Sequence, residues 1–178
     1  MDKPAKDILI PHDKIAAKIQ EIAQEIAVKH RGKDLIVLSV LNGSVLLAAD
    51  LLRSLWHEGL TDITFDTVCL RSYDIGTEAT QRPKLLKDTK VDLKDRHVLI
   101  VEDIIDTGRT LTTLLELLRK RQPASLEVFA LLSKPSRREA TIEADYTGFV
   151  IEDLWVEGYG LDTGGKYRGN PDITYRKG

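Results

Sequence analysis

Hydrophobic residues along the chain follow two spacings, one typical of helices and one typical of buried strands. The isoleucines from Ile15 to Ile26 recur every three to four residues, so they predict an amphipathic helix that Asp13 caps and Gly32 ends. Residues 35–41 are apolar at nearly every position, as in a strand covered on both faces. The same reasoning predicts helices at 45–56 and 110–122, and strands at 63–73, 84–88, 97–101, 125–133 and, as the last, 145–151.

The alternation of strands with helices predicts the α/β class, with a twisted parallel sheet flanked by helices. A length of 178 residues fits a single domain, 1–178. The helical spacing of Trp56 from Leu52 predicts that this indole lies in the core, and the apolar neighbours of Cys69 predict a buried thiol. Because ligands of such sheets bind beyond the carboxyl ends of the strands, we expect functional residues there.

The composition excludes several classes of protein. Hydrophobic residues make up 42% and charged residues 30%, which is ordinary for a globular domain. A net charge of −2 gives no electrostatic attraction to nucleic acid or to anionic membranes. The single cysteine excludes an internal disulfide, and the first residues lack the apolar core of a signal peptide. We therefore expect a cytoplasmic protein with no nucleic-acid or membrane partner.

Candidate chemistry concentrates after the predicted strand at 97–101. Glu102, Asp103 and Asp106 follow it, and a small polar turn, TGRT at 107–110, then opens onto a helix. Backbone N–H groups of such a turn bind anions, whereas carboxylates accept hydrogen bonds from sugar hydroxyls. The combination therefore suits a sugar phosphate. It is not a Walker loop, because the glycine spacing and the Gly-Lys-Ser/Thr ending are missing.

The whole stretch, VLIVEDIIDTGRTL, resembles the phosphoribosyl-pyrophosphate (PRPP) binding motif of the purine and pyrimidine phosphoribosyltransferases. With VLNGS, SLEVFALLSKPSRR and WVEGYGLD elsewhere in the chain, and an acid at Asp106, the resemblance is closest to the hypoxanthine-guanine enzymes. It implies the type I phosphoribosyltransferase fold, with a small hood formed mainly by 151–178 and the N-terminal segment. It also implies Mg²⁺-dependent transfer of phosphoribosyl from PRPP to hypoxanthine or guanine, giving IMP or GMP and pyrophosphate.

The resemblance also implies the contacts to sugar, metal and phosphate. Glu102 and Asp103 match the acids that hold the ribose hydroxyls and help to seat the metal, and Asp162 matches a second metal ligand. Asp106 matches the general base for the purine N7 proton. The matching phosphate contacts are Thr107, Gly108, Arg109 and Thr110 for the 5′-phosphate, and Asn42, Gly43 and Arg168 for pyrophosphate.

On the purine side, Lys134 matches a lysine that donates to the 6-oxo group, which selects against the amino group of adenine. Trp155 matches an aromatic residue that stacks on the base, and Val156 would contact the base through its backbone. Ser72 and Tyr73 open a long polar loop that closes over the site in the family. One departure is Asn42, which stands where the family has a basic residue, in a turn with a cis peptide.

Two alternatives remain open. A preference for xanthine would depend on contacts to the base 2-position, which the sequence does not resolve. Some relatives are RNA-binding regulators that keep the PRPP motif; they need a basic face, so the net charge, together with Asp106 and Lys134, argues against this class. The resemblance further implies a homodimer or homotetramer.

Overall fold

The computed structural model describes residues 7–71 and 83–175 and is built around a six-stranded sheet. The elements in chain order are β1 (Asp7–Ile10), α1 (His12–His30), β2 (Leu35–Leu41), α2 (Val45–His57), β3 (Ile63–Arg71), β4 (Lys84–Lys87), β5 (His97–Ile105), α3 (Arg109–Arg119), β6 (Ser125–Ser133), a 3₁₀ turn (Pro135–Arg137), β7 (Tyr146–Val150), β8 (Val156–Glu157) and β9 (Ile173–Tyr175). The central sheet has the order β4-β3-β2-β5-β6-β7. All its strands are parallel except β4, which pairs antiparallel with β3 at the edge.

Helices cover both faces of this sheet, so the predicted fold class is confirmed. Alternate residues of β2 enter different cores: Leu35 and Val37 pack with α1 and α2, whereas Ile36 and Leu38 pack with α3. Burial on both faces explains why these strands are apolar at successive positions. None of the described helices combines the length and the apolarity that a membrane crossing requires.

A second, three-stranded antiparallel sheet has the order β1-β9-β8. It joins segments from opposite ends of the chain, and the backbone N–H of His12 adds a hydrogen bond of 2.8 Å to Asp172 Oδ1. Val156 and Ile173 of this sheet lie in the same apolar cluster as α1 and α2. The small sheet therefore packs against the side of the central sheet that α1 and α2 cover.

Three predictions about individual side chains were wrong. Asp13 lies in the first turn of α1 and does not cap it, because the N-cap position is Pro11. Trp56 is 62% exposed. Leu55 is the last buried residue of α2, and Trp56, the next position, lies outside the side of the helix that faces the core. Cys69 is half-buried, because it lies on β3 where only the short strand β4 follows at the sheet edge.

Two predictions of element boundaries were also wrong. The strand at 97–101 continues to Ile105, so the first two acids lie on β5 and do not follow it. The strand near 145–151 is not the last, since β8 and β9 lie within the tail that shows no hydrophobic period. Strands of two and three residues are too short to produce a periodic signal.

Candidate active site

The acid pair of β5 lies at the carboxyl end of the parallel sheet. Glu102 is 8% exposed and is aligned with Ala130 of β6, while Asp103 is half-buried. Burial raises the pKa of Glu102 well above its ordinary value, and the neighbouring charge of Asp103 raises it further. Burial also raises the pKa of Asp103. A cation at this place would favour the charged form of both groups, so the pair is suited to a positively charged ligand.

Two glycines bring three backbone segments together at Asp103. A side chain on Gly43, in the turn after β2, would overlap the carboxylate of Asp103. A side chain on Gly160 would in turn overlap the carbonyl oxygen of Gly43. Only glycine allows the turn to approach the Asp103 carboxylate, and the loop to approach the turn, so closely. The turn also contains the cis peptide Leu41–Asn42 that the resemblance implied.

The loop that contains Gly160 also carries two of the predicted site residues. Arg168 donates to the carbonyl oxygen of Gly160, and its Nη2 lies 2.7 Å from Asp162 Oδ1. Asp162 Oδ2 accepts a hydrogen bond of 2.6 Å from the backbone of Gly165. The charge of Arg168 partly opposes the effect of burial on Asp103, whose pKa nevertheless stays above its ordinary value. The loop thus adds one positive and one negative group beside the acids of β5.

The turn at 107–110 connects β5 to α3 and is supported by the segment that follows the 3₁₀ turn. Gly108 has φ +84°, a left-handed conformation that favours glycine, and an added Cβ would lie 2.7 Å from Ile142 Cγ2. The carbonyl oxygen of Thr107 accepts the backbone N–H of Glu139 at 3.0 Å. Arg109 Nη2 lies 2.6 Å from Glu139 Oε2, so this side chain is engaged in an ion pair. Thr110 is half-buried in the first turn of α3.

Charged neighbours connect Asp106, the predicted general base, with Lys134, the predicted O6 donor. Lys134 is 6% exposed, and its Nζ lies 3.7 Å from Asp153 Oδ1. Arg137 Nε lies 3.2 Å from Asp106 Oδ1 and 3.7 Å from Asp153 Oδ1. The backbone N–H of Lys134 donates to the carbonyl oxygen of Ile105 at 3.0 Å, which fixes its position beside the end of β5.

Sequence reasoning missed the two arginines that contact Asp106. Arg137 reaches its carboxylate, and Arg138 Nη1 donates to its backbone carbonyl oxygen at 2.9 Å. Arg138 Nη2 also donates to Ser133 Oγ at 2.7 Å, which links the turn to the end of β6. The double arginine in KPSRR, which begins three residues after Lys134, was the available signal.

Trp155 and Val156 lie where the chain enters the small sheet at β8. Val156 is buried, at 7% exposure, whereas Trp155 is 64% exposed and donates its indole N–H to Thr163 Oγ1 at 2.8 Å. The exposed indole leaves an aromatic surface open to a ligand. Ser72 and Tyr73, predicted to open a lid, lie outside the described residues.

The donor set fits magnesium that a substrate helps to hold. Across residues 7–71 and 83–175, no three His, Cys, Asp or Glu side chains converge as a metal cage. Glu102 Oε2 is nevertheless buried without a hydrogen-bond partner. Magnesium is commonly held by one or two carboxylates, with waters and substrate phosphates completing its shell. An acid pair with an unsatisfied oxygen, beside an anion-binding turn, meets that requirement.

Comparison with known proteins identifies the family. The phosphoribosyl transferase domain model matches residues 6–163. The hypoxanthine phosphoribosyltransferase of Escherichia coli K12 is 39% identical over 175 residues, which cover 96% of this chain and 95% of that protein. The bifunctional protein TilS/HprT of Listeria innocua is 38% identical over 177 residues, but the chain spans only 27% of its length.

Solved structures have the same fold. A hypoxanthine-guanine phosphoribosyltransferase from Bacillus anthracis is 37% identical, with a TM-score of 0.88, and the match covers 97% of this chain and 99% of that one. A hypoxanthine phosphoribosyl transferase from Trypanosoma cruzi is 34% identical, with a TM-score of 0.91 over 99% of this chain and 94% of that one. The chain therefore belongs to the phosphoribosyltransferase family, within its hypoxanthine-guanine branch.

Proposed function

We propose that the protein transfers a phosphoribosyl group from PRPP to hypoxanthine or guanine, as a purine-salvage enzyme. The observation that carries the proposal is the contact of three segments at the carboxyl end of the sheet: the acids of β5, the turn of Gly43 and the loop of Arg168. An acid pair for ribose hydroxyls thereby lies beside backbone and a cation suited to pyrophosphate.

The reaction requires one bond to form, one to break and one proton to move. Purine N9 bonds to ribose C1 while the bond from C1 to the pyrophosphate oxygen breaks, and its electron pair leaves with pyrophosphate. The purine N7 proton passes to the carboxylate of Asp106. Arg137 lies 3.2 Å from this carboxylate and keeps it oriented at the start of the phosphate turn.

Glu102 and Asp103 would hold Mg²⁺ together with substrate oxygens, and Asp162 is proposed as a second contact. When bound, the ion neutralises charge on the pyrophosphate that leaves. Thr107, Gly108, Arg109 and Thr110 would bind the 5′-phosphate, while Asn42, Gly43 and Arg168 would bind pyrophosphate. The support for these roles is the backbone geometry of the two turns and the proximity of Arg168 to Asp103.

Lys134 is proposed to select the base. Its buried ammonium would donate to the 6-oxo group, while adenine would present an amino donor to it. A buried polar group left unpaired costs about 1–3 kcal/mol, so adenine should be disfavoured by roughly 10- to 100-fold or more. Trp155 would stack on the base through its exposed indole, and Val156 would contact the base through its backbone.

A steady-state assay with PRPP, Mg²⁺ and each of hypoxanthine, guanine, xanthine and adenine tests the proposal. Nucleotide formation from hypoxanthine and guanine is expected, with little from adenine and a loss of activity in excess chelator. The Asp106→Asn variant, purified identically, controls for transferase from the expression host. Equal kcat/KM for adenine and hypoxanthine would refute the role of Lys134, and a dominant xanthine activity would replace the proposed substrate.

We further propose a cytoplasmic homodimer or homotetramer in which 1–178 act as one domain. The single cysteine is consistent with a reducing compartment. Val45 and Trp56 are both exposed and lie about three helical turns apart on the same side of α2, which supports self-association. Light scattering across a concentration series tests the oligomer, and Trp56→Lys should shift it toward the monomer.

A further inference from the structure

A chain of hydrogen bonds in the small sheet ends at the exposed indole of Trp155. Trp155 Nε1 donates to Thr163 Oγ1 at 2.8 Å, and Thr163 Oγ1 donates to Glu157 Oε2 at 2.8 Å. The three residues differ sharply in exposure: Trp155 is 64% exposed, Thr163 is half-buried and Glu157 is 1% exposed. These hydrogen bonds therefore connect an exposed indole with a carboxylate buried inside the fold.

The chemistry of the groups fixes the direction of this chain. An indole N–H can only donate, so the oxygen of Thr163 must accept from it. The threonine hydroxyl has one hydrogen, and the carboxylate of Glu157 accepts it. Hydrogen bonds that run in one direction along such a series reinforce each other. The arrangement consequently holds the indole in one orientation.

Packing alone would not orient Trp155. Side chains alternate along an extended strand, so Trp155 and Glu157 lie on the same side of the segment that leads into β8, and Val156 lies on the other side, in the core. Nearly two thirds of the Trp155 surface is in contact with solvent. The bond to Thr163 is thus a specific restraint on its ring.

We propose that Thr163 and Glu157 are positioning residues that hold Trp155 in the orientation in which it stacks on the purine. The inference rests on the proposed function, because it takes Trp155 as the base-contacting aromatic. Both residues act through the indole and do not touch the reacting atoms. Removing their restraint should therefore weaken use of the purine and leave use of PRPP unchanged.

Steady-state kinetics of Thr163→Val, which keeps the shape and removes the hydroxyl, test this proposal. One hydrogen bond contributes about 0.5–1.5 kcal/mol, so the KM for hypoxanthine should rise by roughly 2- to 10-fold. The KM for PRPP and the Mg²⁺ dependence should stay within twofold. Thr163→Ser keeps the hydroxyl and should restore the purine KM. An unchanged purine KM in Thr163→Val overturns the proposal, and so does an equal rise in both KM values, which would indicate a disturbed Asp162 loop.

A double-mutant cycle separates positioning from a general effect on the fold. Trp155→Phe keeps a stacking ring but has no N–H, so the chain is already broken in that variant. Thr163→Val should then cause no further rise in the purine KM in the Trp155→Phe background. Additive effects of the two substitutions would contradict the proposal, because they would show that Thr163 acts through something other than the indole.

Fluorescence of the free protein distinguishes failure of this inference from failure of the proposed function. In a Trp56→Phe background Trp155 is the sole tryptophan, and Thr163→Val should lower its fluorescence anisotropy while Thr163→Ser should not. A parent protein that is inactive with every purine refutes the proposed function, whatever the anisotropy shows. An active parent with unchanged anisotropy in Thr163→Val refutes only the positioning role.

Discussion

Two buried glutamates of the central sheet have nearly the same exposure and opposite electrostatic behaviour. Glu102, toward the carboxyl end of β5, is 8% exposed, and Glu127, toward the amino end of the adjacent β6, is 6% exposed. The pKa of Glu102 is raised well above its ordinary value, whereas the pKa of Glu127 is lowered. Glu102 lies deeper among protein atoms and beside a second acid, whereas Glu127 has donor partners, so depth of burial and partners both contribute to the difference.

The fold supplies Glu127 with its partners. Burial opposes its ionisation, but hydrogen bonds from Lys29 and Tyr146 outweigh burial and lower its pKa. Lys29 Nζ lies 2.9 Å and the hydroxyl of Tyr146 3.0 Å from Glu127 Oε2, and His30 Nε2 approaches at 3.4 Å. Glu102 instead keeps a buried oxygen without a hydrogen-bond partner. The donors around Glu127 make it part of the stable fold, whereas the buried acid pair of Glu102 and Asp103 has room for a positively charged ligand.

The largest effect is expected from Asp106→Asn, the third acid at the carboxyl end. The amide keeps the size and polarity but cannot accept the N7 proton. Proton transfer by a positioned group contributes about 10²- to 10⁴-fold, so kcat should fall by that factor while the KM for PRPP changes little. Single-turnover kinetics, with chemistry shown to limit turnover, measure this. A kcat within threefold of the parent would leave Asp106 as a residue that only shapes the loop.

Glu102→Gln should weaken binding without lowering stability. Loss of one oxygen ligand should raise the Mg²⁺ and PRPP concentrations for half-maximal rate by roughly 10- to 100-fold. The free energy of unfolding of the free protein should stay equal or rise, because the amide removes the cost of ionising a buried carboxyl beside Asp103. Magnesium titrations and urea denaturation measure the two effects. A clear loss of stability would mean that Glu102 serves the fold, as Glu127 does.

Glu127→Gln is the matched substitution at the other end of the sheet, and the opposite result is expected. The free energy of unfolding should fall by about 1–3 kcal/mol, because Lys29 loses its ion pair and the buried hydroxyl of Tyr146 loses its charged acceptor. The KM values for PRPP and purine should remain within twofold of the parent. If activity fell without a loss of stability, the division between the two ends of the sheet would be wrong.

Local sequence patterns predicted part of the candidate site and the central strands of the sheet. The acids of β5 and the turn at 107–110 form a contiguous motif, so their chemistry was readable in VLIVEDIIDTGRTL. The strands β2, β5 and β6 were predictable because burial on both faces makes them continuously apolar. These features depend on neighbours in the chain, which is the information that a single sequence contains.

Several features that depend on residues distant in the chain were not predicted. Glu127 sits in an apolar strand and gains its meaning from Lys29 and His30, almost a hundred residues earlier. Gly160 matters because it contacts Gly43, which no spacing reveals. Trp56 was misplaced for the same reason, since a helical period gives the direction of a face but not its width. Tertiary contacts thus decided the cases in which local patterns were silent or misleading.

The smallest expected effect concerns His30, which faces Glu127, Lys33 and His97 and lies beside Lys29 and Tyr146. Burial lowers the pKa of His30, so below the ordinary value of 6.5 the unfolded state binds a proton that the folded state resists. Stability should therefore be complete above pH 6.5 and decline as the pH falls, by at most about 1.4 kcal/mol per pH unit for this one proton.

The lowered pKa of Glu127 adds a second decline, because stability present above its ordinary value of 4.5 is lost as the pH falls through the folded value. His30→Gln should flatten the first decline and keep the second, whereas His57→Gln, at an exposed position, should change neither. Urea denaturation at half-unit steps from pH 7.5 to pH 4 measures both slopes. An unaltered slope between pH 6.5 and pH 5 in His30→Gln would show that another group causes the first loss of stability.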